Sequence, residues 1–289
     1  MKILVFGSEY QGRYIEELKR VMSCLSGSGA DVVVDSEFHS YLREHHVVPE
    51  GFGVADIEGG ALDADVALSF GGDGTFLRTA RKVALRGVPI MGINTGSLGY
   101  LADVSIDDAE KAVGKCLAGE CCIDSRTMLH VSTLDTEIDF PYALNEVAIQ
   151  KSLTAQMLKM RTTLNGVYLT TYMGDGLLVS TPTGSTAYNL SVGGPIIEPS
   201  SHSFAVAPIA AHSLTMRPIV LNDDCRIDIT TLSRCDTYCV SLDGNNYTLP
   251  SGSTISLCRA PYVVKVVKVN GHNFASTLRS KLMWGVDAR

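Results

Sequence analysis

The feature that most constrains this fold is a glycine-rich turn between an apolar run and a helical pattern. The run Val66–Phe70 predicts a buried strand, and residues 76–86 after the turn predict a helix. Strand, glycine turn and helix form the layout that presents backbone N–H groups to a phosphate. Glycines let the chain turn tightly and let a ligand approach the main chain. The candidate phosphate loop consists of Gly71, Gly72, Gly74 and Thr75.

Asp73 stands at the centre of this turn. A loop that only cradled phosphate would not carry a carboxylate, because like charges repel. Asp73 is better suited to accept a hydrogen bond or a proton from a hydroxyl, or to hold Mg²⁺. The alternative is an ordinary strand-to-helix turn in which Asp73 or Thr75 caps the helix. The turn by itself leaves both interpretations open.

The first third of the chain alternates strand-like and helix-like segments. Its pattern predicts strands at residues 3–6, 32–34, 66–70 and 88–93, helices at 12–25, 39–46, 76–86 and 104–117, and a loop at 51–60. This order indicates an α/β domain with a parallel sheet and helices on both faces. A second glycine-rich turn, residues 92–101, follows the last of these strands. Because ligands bind beyond the carboxyl ends of such strands, we expect both turns to line one crevice.

After about Cys121 the segments become β-branched and alternating, with turn signals at Asn165-Gly166, Asp175-Gly176 and Asp243-Gly244. They predict a β-rich antiparallel C-terminal domain. A final strand at residues 263–269 and a helix at 274–282 are expected to return to the first domain. We therefore expect an α/β domain of residues 1–121 and 259–289 and a β-rich domain of residues 122–258.

Composition narrows the classes of function. The chain has 289 residues and a net charge of -7, with no run of Lys or Arg, so neither nucleic acid nor a membrane surface is expected as a partner. No apolar stretch approaches the roughly 18 residues of a membrane span. The eight cysteines form no Cys-x-x-Cys pair, so structural zinc is not expected. Free thiols and a cytoplasmic location are expected in the absence of a secretory signal.

Three further polar motifs interrupt the β-rich half. Residues 181–189 combine hydroxyls, a glycine and Tyr188, which suits ligand binding but also an ordinary Ser/Thr-rich loop. Asn145-Glu146 lies inside an apolar segment, where it either binds the vicinal hydroxyls of a sugar or faces solvent on an edge strand. Asp175, between two glycines, is either a further site carboxylate or part of a simple turn.

These motifs occur in the same order and at the same spacing in the NAD kinases, which this chain resembles over nearly its whole length. The resemblance rests on residues 71–75, 94–101, 145–146, 174–176 and 181–188, and extends to residues 217–220 and 241–244. The Gly-Gly-Asp-Gly motif alone also occurs in phosphofructokinases and in lipid kinases. Its combination with Thr-Pro-Thr-Gly-Ser-Thr-Ala-Tyr is far more specific.

The resemblance implies transfer of the ATP γ-phosphoryl to the 2′-hydroxyl of the adenosine ribose of NAD, giving NADP. It also implies a two-domain fold, Mg²⁺ or another divalent cation carried on ATP rather than by protein side chains, and a homodimer or homotetramer. Asp73 matches the proton acceptor of the family, Gly74 a backbone contact to the substrate, and Arg78 is placed to meet a phosphate.

The other NAD-binding positions implied by the resemblance lie in the β-rich domain. Asn145 and Glu146 would hold the adenosine, and Thr186 and Tyr188 would lie near the adenine. Asp175, Ala187 and Ser191 would meet the nicotinamide end. The set is completed by Asn189, Leu190 and Asn245.

Two departures and two alternatives accompany this prediction. Gln156 and Met173 stand where some relatives carry a basic residue, which leaves phosphate contacts and feedback inhibition in doubt. A lipid kinase of the diacylglycerol or sphingoid type on a related core would need an apolar access groove. A non-catalytic nucleotide-binding module would make Asp73 a structural cap.

Overall fold

The computed structural model describes residues 1–9, 12–57, 63–96, 99–152, 157–269 and 274–285. These residues form two compact units: Met1–Ser125 with Val263–Arg289, and Arg126–Tyr262. They are called unit 1 and unit 2 below. Each has its own apolar core, and no residue of one core cluster belongs to the other.

Unit 1 is built from short parallel strands and amphipathic helices. Its strands are β1 (Lys2–Gly7), β2 (Asp31–Asp35), β3 (Gly53–Ala55), β4 (Val66–Phe70), β5 (Ile90–Asn94) and β6 (Val104–Ser105). Its helices before the β-rich half are α1 (Ile15–Gly27), α2 (Ser36–Glu44), α3 (Asp73–Val83) and α4 (Ala109–Leu117), with 3-10 turns at Ala84–Arg86 and Ile106–Asp108. In α1, Leu18, Val21, Met22 and Leu25 are buried at the spacing of one helix face.

The parallel strands follow the order β6-β5-β4-β1-β2-β3. The chain winds outward from β1 to β2 and β3, then returns to place β4 on the other side of β1. This reversal opens a crevice at the carboxyl ends of β1 and β4, where ligands bind in open α/β sheets. The predicted α/β architecture is confirmed.

Several predicted boundaries in unit 1 were wrong. Residues 51–60 were expected to be a loop, but Gly53–Ala55 adds an edge strand beside β2. The helix expected at 104–117 begins only at Ala109, because Val104 pairs with Ile93 in the sheet. The helix after the glycine turn starts at Asp73 rather than Phe76, since Gly72 is its N-cap.

Unit 2 is antiparallel, as predicted. Two strands belong partly to unit 1 and partly to unit 2: β7 (Cys121–Ser132) and β18 (Thr254–Val269). The strands wholly within unit 2 are β8 (Tyr142–Ala143), β9 (Glu146–Gln150), β10 (Leu158–Leu164), β11 (Val167–Gly174), β12 (Gly176–Ser180), β13 (Ser203–Ile209), β14 (Ile219–Asn222), β15 (Ile227–Leu232), β16 (Thr237–Leu242) and β17 (Asn245–Pro250). One sheet has the order β14-β13-β12-β9-β16-β17, and a second runs β11-β10-β15-β18. A short helix, α5 (Tyr188–Ser191), follows β12 after a 3-10 turn.

The end of the chain belongs to unit 1, as predicted. Val266 near the end of β18 pairs in parallel with Ile90 of β5, and helix α6 (Phe274–Leu282) follows. Among the described residues, no helix is both long and apolar enough to cross a membrane.

Gly176 tests how tightly β9 and β12 pack. A Cβ there would lie 2.1 Å from the carbonyl oxygen of Ile149, so Gly176→Ala must push the two strands apart. We expect a loss of roughly 1–3 kcal/mol, the usual cost of overpacking, seen as a lower Tm in circular dichroism.

Gly114→Ala is the matched control, because a Cβ at that α4 position meets no heavy atom within 4 Å. It should gain about 0.5–1 kcal/mol from the better helix propensity of alanine. Equal Tm values for the two variants would contradict this packing.

Candidate functional site

Asp73 ties the two glycine turns of unit 1 together. Its Oδ2 accepts a hydrogen bond from the backbone N–H of Tyr100 at 2.7 Å. Its Oδ1 accepts from Leu101 and Ala102 at 2.9 and 3.1 Å. A Cβ on Gly99 would lie 2.6 Å from Oδ1, so only glycine lets the second turn approach this closely. The turns predicted to share a crevice are thus joined through this carboxylate.

The bonds of Asp73 also define what it can still accept. An ionised carboxylate has about four acceptor positions, and two N–H groups occupy those of Oδ1. Oδ2 carries one N–H bond and retains room for a further donor. Neither Asp73 nor Thr75 caps α3, since the N-cap is Gly72 without a side-chain cap bond. The helix-cap interpretation is therefore wrong.

A cavity of about 460 Å³ opens beside the glycine turn at the end of β1. Gly72, Gly74, Thr75 and Arg78 line it from α3 and its turn. Arg78 donates to the hydroxyl of Thr75 at 3.1 Å, which holds the guanidinium over the first turn of the helix. A side chain at position 71 would clash with Thr75, because a Cβ on Gly71 would lie 2.3 Å from Thr75 Oγ1. The positive end of the helix dipole and a guanidinium suit an anion, and the carboxylates Glu9 and Glu37 also line the cavity.

In unit 2, sheet topology gathers three separate motifs. Strand β9 lies between β12 and β16, and Glu146 at its start pairs with Ser180 at the end of β12. On the other side Val147 pairs with Leu242 at the end of β16. The Asn145-Glu146 pair, the loop after β12 and the Asp243-Gly244 turn therefore meet at one edge of the sheet.

Asp243 holds the Asn145-Glu146 pair in place. Its carboxylate accepts from the backbone N–H groups of Leu144, Asn145 and Glu146 at 2.6, 2.9 and 3.0 Å. Positive φ at Asp243 and Gly244 closes the two-residue hairpin between β16 and β17 and aims the carboxylate at β9. Burial nevertheless raises the pKa of Asp243 to about 6, against the lowering effect of these three bonds.

Glu146 is the most perturbed carboxyl group of this edge. Burial, with a smaller contribution from the charge of Asp243, raises its pKa to about 8, although a backbone hydrogen bond from Tyr188 opposes this. Its Oε2 and the Oδ1 of Asn145 are buried and have no hydrogen-bond partner among the described residues. Such atoms are rare in folded proteins, and a polar ligand would satisfy both.

The loop after β12 packs directly on Asn145. A Cβ on Gly184 would lie 2.1 Å from the Asn145 carbonyl oxygen, and Thr181 donates to the carbonyl of Leu144 at 2.6 Å. Tyr188 lies along β9, because its hydroxyl accepts from Gln150 Nε2 at 3.1 Å while its N–H bonds Glu146.

The remaining candidates of this loop differ in exposure. Thr186 and Ala187 are half-buried, whereas Leu190 and Ser191 are exposed on α5. Asn189 is fully buried, and its amide donates to the carbonyls of Ser185 and Pro195. The side chain of Asn189 therefore shapes the loop.

Asp175 lies at the opposite end of β9 from Glu146. It precedes β12 and forms an ion pair of 2.6 Å with Lys151, which follows β9. Asn245, at the start of β17, is exposed and donates to the carbonyl of Leu242. Met173 is 37% exposed on β11, and Gln156 lies outside the described residues. Asp175 thus stands apart from the buried edge, whereas Asn245 lies at its exposed border, next to the Asp243-Gly244 turn.

Sequence reasoning missed the partners that hold the site together. Asp243 was named only as part of a turn within the resemblance, Thr181 only as part of the 181–189 motif, and Gln150 and Lys151 received no role. The one available signal was the carboxylate of the Asp243-Gly244 turn, which the hairpin alone does not require. Among the described residues, no group of three or more His, Cys, Asp or Glu is arranged to hold a metal.

The raised pKa of Glu146 gives the protein a pH-dependent stability. Between the unfolded value near 4.5 and the folded value of about 8, the folded state binds more protons, so stability falls as pH rises through this range. In Glu146→Gln this contribution is absent. We expect the Tm of the variant relative to the parent to rise by a few degrees from pH 5 to pH 9.

Glu198→Gln, at an exposed position of the same unit, is the control and should keep a constant offset in Tm. A Glu146→Gln offset that is equally constant would show that Glu146 is ionised in the folded protein at neutral pH.

Known proteins match this chain over nearly its whole length. Residues 15–121 match the ATP-NAD kinase N-terminal domain, and residues 144–269 match the ATP-NAD kinase C-terminal domain. An NAD kinase of Bacteroides fragilis is 43% identical over 100% of both chains. One of Porphyromonas gingivalis is 41% identical over 100% of this chain and 99% of its own.

Solved structures agree in fold. Yeast NADH kinase, crystallised with NADH, superposes with a TM-score of 0.87 at 20% identity, covering 100% of this chain and 89% of its own. An NAD kinase from Archaeoglobus fulgidus in complex with ATP gives 0.73 at 26% identity, covering 97% and 99%. With full-length relatives above 40% identity and both domains matched, the chain belongs to the NAD kinase family.

Proposed function

We propose that this NAD kinase transfers the γ-phosphoryl group of ATP to the 2′-hydroxyl of the adenosine ribose of NAD, giving NADP. The observation that carries the substrate assignment is the pair of buried oxygens on Asn145 and Glu146 that have no hydrogen-bond partner in the described part of the chain. Two adjacent polar side chains match the vicinal hydroxyls of a ribose. With a pKa of about 8, Glu146 is protonated at neutral pH and can donate to one hydroxyl as well as accept.

The extent of this surface suits a dinucleotide. From Glu146 to Gln150 the strand spans roughly 13 Å at about 3.4 Å per residue. Tyr188 contacts β9 at both of these residues and offers its ring along the way. With adenosine bound at Glu146, the nicotinamide end of NAD points toward Asp175. Thr186, Ala187 and Ser191 lie on the loop between these two ends. In this arrangement Asn189 and Leu190 belong to the same loop, and Asn245 borders it.

Asp73 accepts the proton of the 2′-hydroxyl in this reaction. Phosphoryl transfer depends on positioning and charge neutralisation more than on covalent help, so one well-held carboxylate oxygen suffices. Oδ2 is that oxygen, since it has acceptor room and is fixed by the Tyr100 N–H. The three backbone bonds prevent the carboxylate from rotating away from the hydroxyl.

The phosphates of ATP are assigned to the cavity beside Gly72, Gly74 and Thr75, with Arg78 as their cation. Glu9 and Glu37 also line this cavity, and Glu37, at the start of α2, would hold a divalent cation through its water shell. That cation supplies neutralisation of charge on the transferring phosphoryl group. Two carboxylates do not complete the coordination shell of such an ion, which fits an ion bound mainly by ATP.

The resemblance also supports a homodimer or homotetramer working in the cytoplasm, with residues 122–258 as the NAD-binding domain. Sedimentation of the purified protein tests the assembly. The lipid-kinase alternative has no support, because the full-length relatives are NAD kinases.

Asp73→Asn tests the chemical role of the carboxylate. We expect NADP formation from NAD, ATP and Mg²⁺ to fall by a factor of about 10²–10⁴, the usual contribution of a general base. NADP is measured with an NADP-specific dehydrogenase. Asparagine also replaces one carboxylate oxygen, which accepts backbone N–H bonds, by an NH2 donor. The Tm and the Kd for NAD are therefore recorded beside the rate.

Asp107→Asn, at an exposed position in unit 1, is the control and should keep full activity. Turnover of Asp73→Asn near the parent rate would remove Asp73 from the chemistry. A lost rate with an equally large loss of NAD binding would make it a positioning residue only.

A further inference from the structure

A second cavity of unit 1 lies apart from the glycine turn at residues 71–75. Its volume is about 780 Å³, and it is lined by residues just before α1, by the end of β5 and by one face of α2. Three rings contribute to its wall: Tyr14, Tyr41 and His45. Tyr41 and His45 pack against each other with ring centroids 4.3 Å apart. Aromatic walls of this kind suit a flat heterocycle.

This cavity adjoins the phosphate cavity along α2. Glu37 lines the smaller cavity, and Tyr41 and His45 line the larger one. Glu37 and Tyr41 are four residues apart on one face of α2, and His45, the C-cap residue four positions further, continues their line. The distance from Glu37 to His45 is about 12 Å at 1.5 Å per residue. A ligand extended along this face would pass from one cavity into the other.

Glu9 marks the boundary, since it lines both cavities. A carboxylate accepts hydrogen bonds from a pair of sugar hydroxyls. Arg13 also lines the larger cavity and offsets the negative charge of Glu9. The cavity therefore lacks the excess positive charge that further phosphates would require. Thr95, buried at the end of β5, adds a hydroxyl to the wall. The aromatic rings, the Glu9 carboxylate and the phosphate loop thus lie in the same order as the base, the ribose and the triphosphate of a nucleotide.

We propose that the cavity formed by Tyr14, Tyr41, His45 and Thr95 binds the base of the donor nucleoside triphosphate, with Glu9 at its ribose, and makes the enzyme prefer a nucleotide over inorganic polyphosphate. The inference rests on the proposed use of ATP at the Gly72–Thr75 loop. It adds a base-recognition subsite and a donor preference to that function.

The test compares ATP with inorganic tripolyphosphate as donor in His45→Ala and Tyr14→Leu. His45→Ala removes a ring that Tyr41 packs against, and Tyr14→Leu keeps apolar volume but removes the other ring. Both variants should raise the KM for ATP about tenfold, the size expected when a base loses an aromatic neighbour. The KM for NAD and the use of tripolyphosphate should stay within about twofold of the parent.

His39→Ala is the matched control, because it makes the same change on α2 at a residue that lines neither cavity. Thermal unfolding confirms that each variant is folded. An unchanged KM for ATP in both variants, or equal losses with ATP and tripolyphosphate, would overturn the proposal.

Binding measurements separate this inference from the proposed reaction. Titration calorimetry with a non-hydrolysable ATP analogue requires no turnover. If NAD were not phosphorylated but the analogue bound to the parent and about tenfold more weakly to His45→Ala, the subsite would stand and the reaction would fail. Equal affinity of the parent and both variants for the analogue would reject the subsite even in an active enzyme.

Discussion

A carboxylate that accepts three successive backbone N–H groups organises each unit of this protein. Asp73 does so for Tyr100, Leu101 and Ala102, and Asp243 for the segment ending at Glu146. Where a chain turns away from a sheet, successive N–H groups lose their strand partners, and leaving one unsatisfied costs about 1–3 kcal/mol. A carboxylate offers only acceptors and can serve all three. Both motifs depend on this interaction for their shape.

The two aspartates hold different kinds of site. Asp73 sits at the start of a helix, beside the cavity lined by Gly72, Gly74 and Thr75, and retains one open position on Oδ2. Asp243 is buried beside Glu146, whose pKa is raised by burial and, to a smaller extent, by the charge of Asp243. The same bonding pattern therefore accompanies a partly exposed acceptor in one unit and a buried carboxyl group with a raised pKa in the other. Solvent access and neighbouring charge make the difference.

Topology explains why motifs far apart in sequence act together. In unit 1 the winding reverses at β1, which gathers the ends of β1, β4 and β5 around the two cavities. In unit 2, β9 lies between two antiparallel neighbours, so loops from three parts of the chain share one edge. In both units, side chains in the middle of the strands form the apolar core, and the polar side chains of the candidate sites lie at the strand ends.

The sequence alone determined the alternation of strands and helices, the change to antiparallel texture after Cys121, and the motifs that mark the family. The periodicity of hydrophobic residues and the positions of glycines in turns indicate these features within short stretches of sequence. It did not predict the edge strand Gly53–Ala55, the late start of α4, or the bonds of Asp73 and Asp243. Those bonds join residues 27 to 29 and 97 to 99 positions apart, and no local pattern records such a partner. The raised pKa of Glu146 and the aromatic cavity along α2 likewise arise only when distant segments exclude water from a shared space.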